Sequence, residues 1–236
     1  MELQPLAYET EGRTFTGYLA DGSGGRSAPG ALVVHEGGGL TAHAKSRAAM
    51  LAELGFIAYA MDLFGLPEFE LEQAKAIVAD LRGNVAKLRG RCAAALDVLR
   101  AQPNVDGSKL AAIGFCFGGT AVLELARGGA ELAAVVGFHA GLVTSSPPED
   151  NGHIRGKVLV CLGAEDPVVT AEHRRDFVAA MAGAGVDWQL HLYGGVGHSF
   201  TNREIDAWDI AGFAYDETAD RRSWAAMRAL FSEVFP

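Results

Sequence analysis

The chain has 236 residues, of which 49% are hydrophobic, and a formal net charge of -9 at pH 7. A chain of this length can bury a large core without disulfides or metal ions, and its composition argues against disorder. The chain has 29 acidic and 20 basic side chains, and this acidic balance argues against nucleic acid or an anionic membrane as the main partner. The chain shows neither a secretory leader nor an apolar run of about 18 residues, so we expect a cytoplasmic protein.

The chain opens with a predicted antiparallel hairpin, because Phe15 to Val34 reads as a strand, a turn rich in Gly, Ser and Pro, and a second strand. Beyond it, short apolar runs typical of buried parallel strands alternate with helical patterns. Such alternation predicts one α/β domain over residues 1–236, with a mostly parallel sheet flanked by helices on both faces. The predicted strands are Ala31–Glu36, Gly55–Gly65, Lys109–Phe115, Leu132–Ala140, Lys157–Asp166 and, nearer a sheet edge, Val186–Gly195. The predicted helices are Ala42–Leu54, Leu71–Arg100, Gly119–Arg127, Ala171–Ala184 and Asp220–Phe235.

A cysteine between two close glycines lies where the central predicted strand turns into a helix. In AAIGFCFGGT, Gly114 and Gly118 flank Cys116. A Gly-x-nucleophile-x-Gly elbow uses such glycines to let strand and helix approach, and it strains the backbone of the nucleophile. The N–H of Phe117 would then face the reacting centre from the first turn of the helix, as an oxyanion donor. The alternative is a small apolar residue packed in a tight turn.

An acid and a histidine follow the elbow in the order used by α/β-hydrolases. Asp166 follows a predicted strand, and His198 comes just after the last one. The carboxyl ends of parallel strands gather at one edge, so the two side chains can meet Cys116 there. Imidazole would take the proton of the thiol, and the carboxylate would orient the imidazole. Taken singly, Asp166 could cap a helix and His198 could be a turn residue.

The loop after the first long strand reads HEGGGL. In this architecture that loop supplies the second oxyanion donor, and we expect it to be the N–H of Gly37. Glu36 is unexpected beside it, because a carboxylate would repel the oxyanion unless it engages the thiol or a positive group at rest. The alternative is a solvated glutamate paired with Lys45 or Arg47.

Together these segments resemble the dienelactone hydrolase family. The matching pieces are HEGGGL, YAMDLFG, GFCFGG, LGAEDPVV and GVGHSF, which fall in family order across most of the chain. The resemblance implies an α/β-hydrolase fold and a triad of Cys116, His198 and Asp166. It also implies that Glu36 contacts the thiol at rest and shifts when substrate arrives.

The sequence departs from the family at the two arginines that hold the substrate carboxylate in dienelactone hydrolases proper. The position four residues after His198 is Asn202, and Arg203 comes one step later as the candidate substrate-binding residue. The upstream segment LPEFELEQAKAIV has no arginine, and Arg82, Arg89 and Arg91 are out of register. Dienelactone itself is therefore a doubtful substrate.

The remaining cysteines and histidines are expected to be structural. Three widely spaced cysteines without a CxxC motif form neither a disulfide framework nor a zinc site. We expect Cys92 and Cys161 to be packing residues, and His35, His139 and His191 to be hydrogen-bonded residues in or at the rim of the core. The alternative for His139 is that it lines the site, because its strand follows the elbow helix. His43, His153 and His173 are expected at the surface.

The sequence as a whole predicts a hydrolase for a small carboxylic ester or lactone that works through a thioester, as a monomer or homodimer without cofactor or metal. One alternative is a glutaminase-type amidotransferase, which has a His-x-Glu/Asp pair late in the chain where this sequence has His198-Ser199-Phe200. Another is a non-catalytic hydrolase fold that acts as a binding module, which predicts a sluggish thiol at Cys116.

Overall fold

A central eight-stranded sheet organises the molecule in a computed structural model that describes residues 2–66 and 70–236. Its strand order is β1-β2-β4-β3-β5-β6-β7-β8. The pairs β1·β2 and β2·β4 are antiparallel, and all the other neighbours are parallel. The strands are β1 Gln4–Thr10, β2 Arg13–Asp21, β3 Ala28–Val34, β4 Ile57–Met61, β5 Val105–Phe115, β6 Ala134–Phe138, β7 Lys157–Gly163 and β8 Trp188–Tyr193.

The amino-terminal hairpin exists, but its pairing differs from the prediction. The strand β2 pairs with β1 and β4 rather than with β3. The turn is the two-residue loop Glu11-Gly12, in which both residues have positive φ, as a turn that matches strand twist requires. The sequence prediction missed β1, whose exposed residues give little apolar signal. A run of Gly, Ser and Pro shows that the chain turns, but the partner strand is chosen by long-range packing.

Helices cover both faces of the sheet over two separate apolar clusters. On one face α1 and α6 pack on residues such as Val33, Ile113 and Phe138; on the other face α2 to α5 pack on residues such as Leu32, Ala112 and Val160. The alternation of Leu32 and Val33 between the clusters follows from the two-residue period of a strand. The helices are α1 Ala42–Glu53, α2 Leu71–Gly83, α3 Val85–Arg100, α4 Phe117–Arg127, α5 Ala171–Gly183 and α6 Glu217–Val234.

The predicted helix Leu71–Arg100 is two helices that meet at Asn84. The backbone of Asn84 is non-helical, and its side chain accepts a hydrogen bond from the N–H of Lys87. Asn84 therefore caps the amino end of α3 at the point where α2 ends. Asparagine is favoured there because its side chain accepts a hydrogen bond from a free N–H group of the first helical turn. The break brings the carboxyl end of α2 toward the first turn of α4, where Arg82 lies over the ring of Phe117.

Among the described residues, none of the helices combines the length and the hydropathy that a membrane span requires.

Candidate active site

The nucleophile candidate lies on a sharp elbow between β5 and α4. Cys116 is half-buried and has φ 51° and ψ -115°, a conformation that is strained for any residue with a side chain. A Cβ at Gly114 would lie 2.1 Å from the carbonyl oxygen of Gly118, and one at Gly118 would lie 2.2 Å from that of Val34. The two glycines are therefore required for the close approach of α4 to β5 and β3, as the sequence predicts.

The other two cysteines differ from Cys116 in exposure. Cys92 and Cys161 are fully buried in the two apolar clusters, and neither forms a disulfide. Burial raises the pKa of each thiol to about 12. Both are therefore unreactive packing residues, which agrees with the sequence prediction.

Asp166 and His198 form a buried pair at the carboxyl edge of the sheet. Nδ1 of His198 lies 2.7 Å from Oδ2 of Asp166, and both side chains are inaccessible to solvent. The second carboxylate oxygen accepts the backbone N–H groups of Val168 and Val169, at 2.7 and 3.2 Å. Since the carboxylate is held from both sides, it fixes the proton of the imidazole on Nδ1 and leaves Nε2 as the working nitrogen.

The second ring nitrogen of His198 is buried on the side away from Asp166. Nε2 is buried and has no hydrogen-bond partner among the described side chains and backbone groups. Burial lowers the pKa of His198, but the neighbouring Cys116 sulfur and the Asp166 carboxylate outweigh it and raise the pKa to about 10. The raised pKa of His198 therefore depends on both of these neighbours.

The predicted oxyanion donors come from two adjoining backbone segments. Phe117 is the first residue of α4, where helical N–H groups have no partner within the helix. Gly37 belongs to the turn after β3, and the close approach of Gly118 to the carbonyl groups of Val34 and His35 sets that segment against α4. The two predicted donors therefore lie on neighbouring chain segments at the same sheet edge.

His35 fixes the shape of this loop. Its Nε2 accepts the N–H of Leu63 at 2.9 Å, so the proton of the neutral ring is on Nδ1, which donates to the carbonyl oxygen of Glu36 at 2.6 Å. The ring is fully buried. His35 is a core histidine, as predicted, and it ties the Gly37 turn to the loop after β4.

Glu36 is buried rather than solvated. It pairs with neither Lys45, which lies over the ring of Tyr18, nor Arg47, which pairs with Asp220. Its Oε2 accepts a short hydrogen bond from Nδ2 of Asn202, and its Oε1 has no hydrogen-bond partner in the described part of the chain. The hydrogen bond that the structure shows for Glu36 is with Asn202, and the thiol contact that the family resemblance implies stays a prediction.

Burial and hydrogen bonding shift the pKa of Glu36 in opposite directions. Burial raises the pKa of its carboxyl, and the hydrogen bond from Asn202 opposes the rise. Two imidazole nitrogens lie just beyond hydrogen-bond range, Nδ1 of His43 at 3.7 Å and Nδ1 of His139 at 3.8 Å. The neighbours of this carboxylate thus include no paired arginine or lysine among the described side chains.

The arginine predicted to bind substrate is largely exposed. The side chain of Arg203 is 74% exposed and its guanidinium stacks 4.8 Å from the ring centroid of Tyr215. The sequence predicts Arg203 as a substrate-binding residue because it follows Asn202, which occupies the position of the family arginine. Arg203 begins the 3₁₀ helix Arg203–Trp208, and its side chain points to solvent. The geometry gives Arg203 no contact with Cys116 or His198 among the described residues.

A different arginine lies against the first turn of α4. Arg82 is on the last turn of α2, and its guanidinium lies 5.5 Å from the ring centroid of Phe117. It lines a cavity of about 360 Å³ together with Val85, Leu88, Thr120, Gly141 and Val168. By sequence position Arg82 is out of register with the family arginine. The helix break at Asn84, which brings Arg82 toward α4, cannot be read from residue spacing. Residues 67–69 of the upstream segment lie outside the described residues.

Two histidines that the sequence assigns to structural roles lie within the site. His139 is fully buried after β6, and its ring centroid is 5.3 Å from that of His198. His43, expected at the surface, is only 6% exposed. A signal existed for His43, because it shares one helical face with Arg47 and Leu51 at four-residue spacing, and all three are buried.

The parallel sheet, the strained cysteine elbow and the acid-then-histidine order define an α/β-hydrolase fold. The family model of the dienelactone hydrolase family matches residues 15–235, and the chain belongs to that family.

Solved structures and curated proteins show the same relationship. P91, a dienelactone hydrolase-like promiscuous phosphotriesterase from metagenomic libraries, is 44% identical and superposes with a TM-score of 0.94 over 100% of this chain and 99% of its own. The structure named m3DLH is 47% identical, with a TM-score of 0.95 over 100% and 99% of the two chains. A probable 2-oxo-3-(5-oxofuran-2-ylidene)propanoate lactonase from Bradyrhizobium sp is 28% identical over 84% of each chain.

Proposed function

We propose that the protein hydrolyses small carboxylic esters or lactones through a Cys116 thioester. The observation that carries the proposal is the buried Asp166–His198 pair next to a cysteine on a strained elbow, with His139 in contact with both His198 and Cys116. Family membership makes hydrolysis the reaction class. The cysteine specifies covalent catalysis, since a thiolate beside an imidazolium is a ready nucleophile.

In the first half of the proposed reaction, the sulfur of Cys116 forms a bond to the carbonyl carbon. The carbonyl electron pair moves to oxygen, where the N–H groups of Phe117 and Gly37 stabilise the negative charge. The intermediate collapses, the bond to the leaving oxygen breaks, and His198 gives its Nε2 proton to that oxygen. A lactone keeps its leaving alcohol tethered, whereas an open ester releases it.

In the second half, water attacks the thioester carbon and His198 Nε2 takes a proton from that water. The second oxyanion collapses, the carbon–sulfur bond breaks, and the carboxylic acid leaves with Cys116 as thiolate again. Asp166 stabilises the imidazolium in both halves. Arg82 lines the adjoining cavity without an ion pair among the described residues, so it supports a substrate that carries a carboxylate or another polar group on that side.

A p-nitrophenyl ester tests the nucleophile. Cys116→Ala is expected to abolish turnover while circular dichroism shows an unchanged fold, and Cys161→Ala serves as a matched control because its thiol is buried away from the edge. Turnover retained in Cys116→Ala would contradict the proposal.

A second pair of substrates tests whether the protein recognises a substrate carboxylate. The p-nitrophenyl ester of a dicarboxylic acid is compared with a neutral p-nitrophenyl ester, in wild type and in Arg82→Gln.

Thiol alkylation separates the rival functions. Under the proposal, iodoacetamide modifies Cys116 rapidly at neutral pH, whereas a non-catalytic binding module predicts an ordinary slow thiol. An amidotransferase predicts release of ammonia from glutamine, which we do not expect, because the acid partner of His198 comes from the separate β7 loop.

A second candidate activity is phosphotriester hydrolysis. It is favoured by the 44% identity over the whole chain to a promiscuous phosphotriesterase and by the asparagine at position 202, which leaves no cation there to select a substrate carboxylate. The same attack by Cys116 on phosphorus would displace p-nitrophenolate and leave an S-phosphorylated cysteine for water to hydrolyse. A p-nitrophenyl dialkyl phosphate, assayed with wild type and Cys116→Ala, tests this activity.

A further inference from the structure

The backbone of the nucleophile is held by a histidine outside the proposed triad. The N–H of Cys116 donates to Nδ1 of His139 at 3.0 Å, and also to the carbonyl oxygen of Phe138 at 3.0 Å. Because Nδ1 accepts, the proton of the neutral ring must be on Nε2. That nitrogen lies 2.8 Å from Oγ1 of Thr201 and donates to it.

The chain of hydrogen bonds continues in one direction. The hydroxyl of Thr201, which accepts from His139, donates to Nε2 of His43 at 3.1 Å, and that nitrogen also faces Nε of Arg47 at 3.4 Å. The proton of His43 is therefore on Nδ1, which points toward Oε2 of Glu36 at 3.7 Å. The N–H of Cys116 thus sets the tautomer of His139, while the Thr201 hydroxyl and Arg47 Nε together set that of His43.

The two ends of the Cys116–His139 hydrogen bond are both strained. Cys116 has φ 51° and His139 has φ 38°, in a region that non-glycine residues rarely occupy. The ring of His139 is wedged at 5.3 Å from His198 and 5.2 Å from Phe200, between centroids. His139 therefore touches the backbone of the proposed nucleophile and the ring of the proposed base together.

We propose that His139 is a positioning residue: its Nδ1 holds Cys116 in the strained elbow conformation, next to the ring of His198. The charged and titratable groups around it are His198, His43, Glu36 and Arg47. The Thr201 hydroxyl keeps the ring in the tautomer that can accept from Cys116. This inference rests on the proposed role of Cys116 as nucleophile.

A matched pair of variants separates the hydrogen bond from packing. In His139→Asn, Oδ1 is attached to Cγ as Nδ1 is in histidine, so an acceptor for the Cys116 N–H remains, and asparagine tolerates positive φ. In His139→Phe the aromatic volume remains but the acceptor is lost. We expect kcat for a p-nitrophenyl ester to fall about a hundredfold in His139→Phe, with KM little changed, because a displaced nucleophile costs rate rather than binding.

His139→Asn is expected to keep most of the wild-type kcat. Equal losses in the two variants, or a wild-type kcat in His139→Phe, would overturn the inference. That second result is distinct from failure of the proposed function, in which Cys116→Ala itself would stay active.

The tautomer can be read without any activity. In ¹⁵N-histidine-labelled wild type, the His139 signals, assigned by their loss in His139→Asn, are expected to show a neutral ring protonated at Nε2 from about pH 6 to about pH 8. This readout stands even if His139→Phe fails to fold. A ring protonated at Nδ1, or one that titrates in this range, would overturn the inference.

Discussion

His198 and His139 are neighbouring buried histidines, with ring centroids 5.3 Å apart, and their environments shift their pKa values in opposite directions. Burial lowers the pKa of both. For His139, the nearby His198, His43 and Arg47 lower it further, well below the ordinary value. For His198, Cys116 and Asp166 reverse the effect of burial and raise the pKa to about 10. The charge of a buried imidazole is therefore decided by its partners, and one ring can serve proton transfer while the next serves geometry.

Asp166→Asn would break this comparison most severely. Loss of the carboxylate removes the partner that orients His198 and stabilises its imidazolium, so kcat should fall by a factor on the order of a thousand or more. The amide can still accept the N–H groups of Val168 and Val169, so folding is expected to persist. Steady-state assays with a p-nitrophenyl ester provide the measurement, and a loss below about tenfold would contradict the role of Asp166.

Removal of the sulfur sharpens the comparison directly. In Cys116→Ala the pKa of His198 should drop from about 10, because the neighbouring sulfur that helps to raise it is gone, while His139 should stay neutral. The proton on Nε2 of His198 would then be lost at lower pH than in wild type. Histidine NMR titrations of the two proteins measure this, and an unchanged His198 titration would show that the sulfur and ring do not interact.

Glu36→Gln tests the carboxylate beside both rings. Since burial raises the pKa of Glu36, the wild-type carboxyl is expected to change charge at a higher pH than an exposed glutamate. The variant should lose that step from the pH profile of Cys116 alkylation and change the neutral-pH rate by about tenfold or less. An identical profile in the variant would return Glu36 to a purely structural role.

Thr201→Val should have the smallest effect. Valine keeps the shape of threonine but leaves Nε2 of His139 without its acceptor, which costs about 1–3 kcal/mol of unfolding free energy. A several-fold loss of kcat is expected to accompany it. Thr201→Ser, which keeps the hydroxyl, is the control, and urea denaturation of both variants gives the comparison; equal stabilities would count against the hydrogen-bonded chain.

The sequence predicts the parts of the site that depend on local order. The elbow glycines, the Gly37 loop and the succession of Cys116, Asp166 and His198 follow from strand ends that share one edge, and the structure places them there. The burial of His43 has a signal in its own helix, but its partner Thr201, 158 residues away, cannot be read from that segment. The pairing of β2 and the approach of Arg82 to α4 likewise depend on packing between distant segments.

The most direct test of the account is the site of acylation during turnover. Acid quench within the first turnover of a p-nitrophenyl ester, followed by tryptic mass spectrometry, should show the acyl mass on the peptide from Leu110 to Arg127, which carries Cys116. The adduct should be absent from Cys116→Ala. An adduct on any other peptide, with turnover undiminished in Cys116→Ala, would contradict the thioester mechanism.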